Sequence, residues 1–153
     1  MKKDNYDMLR LENQLCFPLY ACSKEIVRRY KPFLDPLDLT YTQYIAMMVM
    51  WEKMVVTVKE LGEKLYLDSG TITPVLKKLE AKGYIKRERS GKDERSVIVT
   101  ITEAGEKLKE SAAEVPGKLG GCVNLSAAEA EELYGLLYKL LNEIADDTVR
   151  RFS

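Results

Sequence analysis

The sequence predicts a mostly α-helical fold with one small β-hairpin, and three observations support this prediction. Apolar residues recur at helical spacing over residues 69–81. Directly afterwards, two runs rich in β-branched and basic residues, 84–89 and 95–102, flank the turn-forming residues 90–94. A long amphipathic stripe also lies near each end of the chain. A helix followed at once by a basic hairpin is the order of a winged helix-turn-helix, which we place at residues 55–102.

The N-terminal stripe predicts an amphipathic dimerisation helix within residues 9–34. Its apolar members are Leu11, Leu15, Leu19, Cys22, Ile26 and Tyr30. Pro18 lacks the backbone N–H that a continuous helix would use at this position, so we expect either a kink or a helix that starts late. Cys22 lies inside the stripe, and we interpret it as a small buried hydrophobic residue.

Two capping boxes predict where the next helices begin. The boxes are Thr40-x-x-Gln43 and Thr57-x-x-Glu60. In such a box, the side chains of the first and last residues satisfy free N–H groups at a helix start. We therefore predict a mostly apolar helix at 41–51 and a short helix at 58–65, which a turn at 68–70 separates from the helix at 69–81.

The helix at 69–81 is predicted to have a core face and a DNA face. Ile72, Val75, Leu76 and Leu79 follow an i, i+3, i+4, i+7 pattern, so their side faces the core. The opposite side carries hydroxyl and ammonium groups beside an open helix N-terminus, which suits phosphates and base edges. The residues predicted to contact DNA are Ser69, Thr71, Thr73, Lys77 and Lys78, with Lys82 on the same side, and Lys92, Asp93 and Arg95 in the hairpin.

The C-terminal stripe predicts a second long dimerisation helix, at residues 126–150. It follows a third capping box, Ser126-x-x-Glu129, and its apolar residues are Leu133, Leu136, Leu137, Leu140, Leu141 and Ile144. Apolar faces at both ends of a single domain, residues 1–153, need a partner surface. We therefore predict a homodimer, whose two-fold symmetry matches a double-stranded DNA operator with pseudo-palindromic half-sites.

The balanced net charge conceals a polarised distribution. The chain has 24 basic and 24 acidic residues. Residues 53–95 hold 11 of the basic and 7 of the acidic residues, whereas the segment after residue 102 holds 6 and 10. A basic middle segment fits one nucleic-acid face on an otherwise neutral protein.

The composition argues against an enzyme, a metalloprotein and a membrane protein. Histidine is absent, and the three cysteines form neither a CxxC metal site nor a disulfide framework. We therefore expect no catalytic residues, no metal, no cofactor and no enzymatic activity. No apolar run approaches the roughly 20 residues of a membrane span, and the N-terminus lacks the apolar core of a signal peptide. We expect no membrane association and a cytoplasmic location.

The order of the elements and the wing sequence Asp93-Glu94-Arg95 resemble the MarR family of dimeric winged-helix regulators. The resemblance spans about Leu9 to Val149. It implies that Arg95 enters the DNA minor groove from the wing and that Asp93 orients it. A guanidinium suits this role because a narrow minor groove concentrates negative potential.

Three segments resemble, more specifically, the OhrR-type branch of this family, which senses organic hydroperoxides. They are LENQLCF at 11–17, LTYTQY at 39–44 and LYLDSGT at 65–71. The resemblance implies that Cys16 is the redox sensor and that Tyr20, Tyr30 and Tyr41 surround it, two of them from the other protomer. Cys122 lies close to where two-cysteine members carry a resolving cysteine, and it is either that residue or an ordinary loop residue.

The chemistry of a thiol agrees with the role that the resemblance gives to Cys16. A thiolate attacks a peroxide and becomes a sulfenic acid, and phenolic O–H groups can stabilise the thiolate by donating hydrogen bonds. The leading hypothesis is a repressor that leaves its operator when an organic hydroperoxide oxidises Cys16. Two alternatives stay open. In the first, a small aromatic ligand releases the DNA from a pocket that Met47, Met48 and Trp51 line, although core packing explains these three residues equally well. In the second, Cys16 is the catalytic residue of a thiol peroxidase.

Overall fold

The computed structural model describes residues 6–92 and 95–152, except for the side chains of residues 146–152. Its elements confirm a mostly helical fold with a small β-sheet. Within these residues the helices are α1 (Cys16–Leu34), α2 (Tyr41–Lys53), α3 (Val58–Leu65), α4 (Ser69–Ala81), α5 (Glu103–Ala112), α6 (Val115–Gly120) and α7 (Ala127–Phe152). The strands are β1 (Val55–Thr57), β2 (Ile85–Arg89) and β3 (Val97–Ile101). None of the described helices is long and apolar enough to cross a membrane.

The predicted capping boxes are all present at helix starts. The Gln43 backbone N–H donates to Thr40 Oγ1 at 3.3 Å, and the Thr40 backbone N–H donates to Gln43 Oε1 at 3.1 Å. The same reciprocal pair of bonds joins Thr57 to Glu60 and Ser126 to Glu129. These boxes place the starts of α2 and α3 where the sequence predicts them, because both orphan N–H groups are satisfied locally.

The wing belongs to a three-stranded antiparallel sheet in the order β1-β3-β2. Val99 of β3 pairs with Val56 on one side and with Arg87 on the other. The hairpin strands are shorter than the predicted runs, since Tyr84, Arg95, Ser96 and Thr102 lie outside the ladder. Strand β1 was missed because its few residues directly precede the capping box of α3.

The core lies among α2, α3, α4 and the sheet. Ile72, Leu76 and Leu79 are buried and Val75 is half-buried, which confirms the predicted core face of α4. Gly105 of α5 packs so closely that an added Cβ would lie 2.2 Å from the Tyr84 carbonyl oxygen. The Gly105 carbonyl in turn accepts a hydrogen bond from Trp51 Nε1 at 2.8 Å. These contacts hold α5 against α2 and against the start of the wing.

Helix α1 starts later than the N-terminal stripe predicted. It begins at Cys16, so Leu11 and Leu15 lie in or beside a 3₁₀ turn and outside the helix. Pro18 falls in the first turn of α1, where the missing N–H has no intrahelical acceptor, and this confirms the expected late start. Cys22 is exposed in the single chain, so the prediction that it is a buried hydrophobic residue was wrong for the single chain.

The apolar faces of both terminal helices are uncovered in one chain. Leu34 is the buried residue of α1, while Phe17, Tyr20, Ile26 and Val27 are exposed. Leu133, Leu136, Leu137, Leu140 and Ile144 of α7 are also exposed. Contiguous exposed apolar patches of this kind mark an interaction surface, as the predicted homodimer requires.

Candidate functional site

The first turn of α4 presents polar groups to solvent. The Asp68 carboxylate accepts a hydrogen bond from the Thr71 backbone N–H at 2.8 Å, which caps the helix and fixes its start. Ser69 and Thr71 are exposed, and Thr73 is half-buried. Lys77 and Lys78 are exposed further along the helix. The predicted DNA contacts on α4 thus lie on the solvent side of the helix, opposite the buried Ile72, Leu76 and Leu79.

Lys82 does not belong to this exposed set. Its ammonium group donates to the Asp38 carbonyl oxygen and to Gln43 Oε1, the latter at 3.1 Å, and lies 3.4 Å from Asp38 Oδ2. The prediction that Lys82 shares the DNA face was wrong, because a long-range contact turns its side chain toward the start of α2. No local sequence pattern signals that contact.

A carboxylate on α4 fixes the direction of the wing. Glu80 Oε2 accepts a hydrogen bond from the Arg87 backbone N–H at 2.8 Å, and Glu80 Oε1 accepts one from the Arg87 guanidinium at 3.0 Å. These hydrogen bonds lower the pKa of Glu80 and keep it ionised. The sequence analysis missed this pair, because Arg87 stands in a basic run that looks like solvated wing surface.

Lys92 and Arg95 are exposed in the hairpin, beyond the strands. The Lys92 backbone N–H donates to Ser90 Oγ at 3.3 Å, which shapes the turn. Asp93, predicted to orient Arg95, lies outside the described residues. Arg95 thus lies at the turn end of the hairpin, two residues before β3 begins.

The predicted redox residues occupy two separate places in one chain. Cys16 is exposed at the first residue of α1. Tyr20 follows one turn later, is 63% exposed, and has Lys24 Nζ 5.7 Å from its ring centroid. Tyr30 lies nearly four turns after Cys16, about 21 Å along the helix axis. Among the described hydrogen bonds, no tyrosine contacts Cys16 within the same chain.

Tyr30 and Tyr41 instead form an aromatic cluster with Tyr44. The Tyr30 and Tyr41 ring centroids are 4.8 Å apart, and Tyr44 lies 5.9 Å from Tyr30. Burial raises the pKa of all three phenols, and their mutual proximity raises those of Tyr30 and Tyr44 further. The three hydroxyls therefore stay protonated and able to donate. Tyr44 was missed, although its spacing from Tyr41 on one helix face could have indicated it.

Cys122 lies in the loop between α6 and α7, against α1. The Arg29 guanidinium donates to the Cys122 carbonyl oxygen at 2.9 Å, and the Cys122 thiol donates to the Lys118 carbonyl oxygen at 3.7 Å. Arg29 stands between three and four turns after Cys16, about 20 Å along α1. Cysteines that form a disulfide have Cα atoms within about 7 Å of each other, so Cys16 and Cys122 of one chain are too far apart to pair.

A cavity of about 960 Å³ lies between the DNA-binding lobe and α7. Residues of α3 and of the start of α4 line one side together with Arg95, Ser96 and Val97 at the turn end of the wing, and Leu141, Ile144 and Ala145 of α7 line the other. The residues predicted to line a ligand pocket are not among them. Met47 is fully buried in the core and Trp51 is held by its bond to Gly105, so core packing accounts for both, whereas Met48 is exposed. A ligand pocket beside these residues stays a prediction.

Comparison with known proteins places this geometry in a family. Residues 28–112 match the family model described as transcriptional regulator SarA/Rot. The organic hydroperoxide resistance transcriptional regulator of Bacillus subtilis is 49% identical over 142 residues, which cover 93% of this chain and 97% of the relative. The regulator SarZ of Staphylococcus aureus is 40% identical over 141 residues, 92% of this chain and 95% of SarZ.

Solved structures of AbfR, a protein of Staphylococcus epidermidis, share the fold. Reduced AbfR bound to DNA superposes with a TM-score of 0.77 at 33% identity, over 95% of this chain and 98% of AbfR. The disulfide form of AbfR has a TM-score of 0.63 at 36% identity, over 88% and 94% of the two chains.

A polar recognition helix followed by a basic hairpin on a three-stranded sheet defines a winged-helix DNA-binding protein. The chain belongs to the SarA/Rot transcriptional regulators and, with them, to the MarR family.

Proposed function

We propose that this chain is a homodimeric DNA-binding repressor that leaves its operator when an organic hydroperoxide oxidises Cys16. The observation that carries the proposal is an exposed thiol at the start of the dimerisation helix, in a chain 49% identical to a regulator named for organic hydroperoxide resistance. AbfR has been solved in reduced and overoxidised forms on DNA and in a disulfide form. These AbfR structures support a redox signal in this family.

The oxidation step requires a thiolate and a peroxide. The Cys16 sulfur attacks one peroxide oxygen, so that an S–O bond forms and the O–O bond breaks. Sulfur is oxidised to a sulfenic acid, and the peroxide is reduced to an alcohol whose oxygen takes up a proton. Exposure of Cys16 gives the hydroperoxide access to the sulfur.

The tyrosine cluster supplies hydrogen-bond donors from the other protomer. Tyr30 and Tyr41 cannot reach Cys16 of their own chain, since about 21 Å of helix separates Tyr30 from it. In a dimer that pairs the uncovered faces of α1, the start of one α1 can meet the cluster of the other. Tyr20, one turn from Cys16, is then the donor from the same chain. Protonated phenols favour the thiolate without placing a fixed cation beside it.

A second cysteine completes the switch in this proposal. Cys122 of the other protomer attacks the sulfenic sulfur of Cys16, the S–S bond forms, and the oxygen leaves as water. Arg29 anchors the Cys122 loop to α1, which keeps the second thiol in the dimerisation region. Forming the bond brings the sulfurs to about 2.05 Å, so the protomers must shift, and the spacing of the two recognition helices changes.

A non-reducing gel tests the role of Cys122. Hydroperoxide should convert nearly all wild-type protein, and nearly all Cys22→Ser protein, to a covalent dimer. Cys122→Ser should give none. If the wild type stays monomeric on the gel while an added small thiol becomes attached to Cys16, a one-cysteine switch is correct and Cys122 is an ordinary loop residue.

The recognition helix and wing contact the operator. Ser69, Thr71 and Thr73 contact base edges and phosphates near the helix N-terminus, and Lys77 and Lys78 contact phosphates. Lys92 and Arg95 extend the contact from the wing, with Asp93 orienting Arg95. The exposure of most of these residues and the DNA complex of AbfR, which has a similar fold, support this assignment.

Each of Lys77→Ala and Lys78→Ala should weaken operator binding and lower the slope of log affinity against log salt by about one unit, because each removes one phosphate contact. Fluorescence anisotropy at several salt concentrations measures both effects. Lys109→Ala, which changes an exposed lysine on α5, is the control and should leave the slope unchanged. An unchanged slope in the α4 variants would remove these lysines from the interface.

The signal itself is tested by release from an operator selected with reduced protein from a random DNA pool. Stoichiometric tert-butyl hydroperoxide should release the protein from DNA at concentrations at which the reduced protein is fully bound, and dithiothreitol should restore binding. Persistent binding after oxidation, together with release by a phenolic acid, would favour the aromatic-ligand alternative instead. The cavity beside α7 is where such a ligand would be sought.

We also propose that Cys16 acts stoichiometrically, not as a peroxidase. The relatives of this chain are transcriptional regulators. Sustained consumption of hydroperoxide with a thiol reductant, many equivalents per protein, would contradict this.

A cytoplasmic location follows from the proposed operator, since the chromosome lies there.

A further inference from the structure

Lys82, at the C-terminal end of the recognition helix, is bonded to the segment that begins α2. It is the residue directly after α4. Its ammonium group has three N–H donors, and three acceptors surround it: the Asp38 carbonyl, Gln43 Oε1 at 3.1 Å and Asp38 Oδ2 at 3.4 Å. The side chain is 25% exposed. Two hydrogen bonds and one ion pair therefore hold this ammonium group at the start of α2, apart from the exposed Lys77 and Lys78.

The acceptors belong to a tightly built junction between α1 and α2. Gln43 is 3% exposed, and its Oε1 also accepts the Thr40 backbone N–H that caps α2. Asp38 ends the 3₁₀ turn after α1 with a left-handed backbone, φ 52°. Displacement of the start of α2 would therefore stretch the bonds to Lys82, because a capped helix start moves as one unit.

The same junction carries the tyrosines assigned to the sensor. Gln43 lies between Tyr41 and Tyr44 in the sequence, in the first turn of α2. Both tyrosine rings pack against Tyr30 of α1. A change at these phenols acts directly on the helix start that holds Gln43. Lys82 then connects that start to the helix that contacts DNA.

We propose that Lys82 is a positioning residue that couples the tyrosine cluster to the recognition helix, an inference that rests on the proposed function. In the reduced dimer, the bonds from Lys82 to Gln43 and Asp38 fix the C-terminal end of α4 relative to α2. When oxidation of Cys16 shifts Tyr41, the start of α2 moves and takes the end of α4 with it. Coupling of this kind is a difference in operator affinity between two states.

The test compares operator affinity in the reduced and oxidised states, at several salt concentrations, for matched variants. Lys82→Met should reduce the ratio of reduced to oxidised affinity at least about fivefold, the lower end of typical coupling. The salt slope of the reduced variant should stay at the wild-type value, because no phosphate contact is lost. Lys82→Arg, which keeps the charge and the donors, should restore most of the ratio.

Lys78→Met is the matched control on the same helix. It should lower the salt slope by about one unit and weaken both states by the same factor, leaving the ratio unchanged. If Lys82→Met behaves like Lys78→Met, Lys82 is a phosphate contact and the coupling proposal is wrong. An unchanged ratio in Lys82→Met would overturn it as well.

Asp38→Asn keeps the proposal testable if Lys82→Met does not fold. Asparagine tolerates the left-handed backbone of Asp38 and removes only the ion pair, so a partial loss of the ratio is expected. A wild-type ratio would count against the coupling. If the wild-type protein itself binds equally well in both states, the proposed function fails and the coupling fails with it, whereas loss of coupling alone leaves wild-type release intact.

Discussion

Cys16→Ser should bind the operator with wild-type affinity when reduced and should not be released by organic hydroperoxide at any stoichiometric dose. Serine is nearly isosteric with cysteine, and Cys16 is exposed, so the substitution disturbs little packing. A hydroxyl does not form the nucleophilic anion that attacks the peroxide bond. The expected change is therefore complete loss of the response with intact DNA binding, measured by anisotropy before and after oxidant.

Cys22→Ser is the matched control for this experiment. Cys22 is on the same helix and is also exposed in the single chain, but it lies outside the segment that resembles the sensor motif. It should respond as the wild type does. If Cys16→Ser is still released while Cys22→Ser is not, the sensor is Cys22 and the assignment made from the sequence is wrong.

Arg95→Ala should produce the largest loss of operator affinity among substitutions in the wing. Removal of an arginine that contacts base edges costs about 1–3 kcal/mol, roughly 5- to 150-fold in affinity. A guanidinium in the minor groove gains from the concentrated negative potential there, and alanine retains none of that gain. Titration of the selected operator with reduced protein at fixed salt measures the loss.

Lys92→Ala serves as the comparison within the same hairpin. Lys92 is also exposed, but a lysine on the phosphate backbone contributes less than an arginine inserted into a groove, so the loss should be smaller. Substituting A·T pairs by G·C pairs in the flanks of the operator should weaken wild-type binding and affect Arg95→Ala less. Wild-type affinity in Arg95→Ala would end the minor-groove assignment.

The helices and the hairpin were predictable because their signals are local. Thr40, Thr57 and Ser126 begin helices through bonds to residues three positions later, and the apolar spacing in α4 needs nothing beyond its own turns. Pro18 predicted either a kink or a late start of α1, and the structure has the late start. Strand β1 could not be predicted in this way, because its pairing partner lies more than forty residues away, in β3.

The contacts that position the site were less predictable for the same physical reason. The sequence position of Lys82 suggests a lysine on the DNA face, yet its ammonium group is bonded to Asp38 and Gln43. Arg87 looks like wing surface, yet it is paired with Glu80. Both pairings depend on tertiary contacts between separate segments of the chain. No periodic pattern in the sequence indicates such contacts.

The sensor residues came from a resemblance and stay a prediction. Within one chain, Cys16 is far from the cluster of Tyr30 and Tyr41, so the proposed site needs residues from two chains. That dependence explains why apolar residues of α1 and α7 are exposed in the single chain. Cys22 looked like a core residue in the sequence because it lies in the apolar stripe of α1, and that stripe is largely exposed in the single chain.

The measurement that tests the central claim most directly follows oxidation and DNA release in the same sample. Wild-type protein on its selected operator is titrated with tert-butyl hydroperoxide below one equivalent per protomer. Anisotropy reports the fraction released, and mass spectrometry of peptides reports the fraction of each cysteine modified. The proposed function predicts that release rises in step with modification of Cys16. Release without modification of Cys16, or full modification of Cys16 without release, would contradict it.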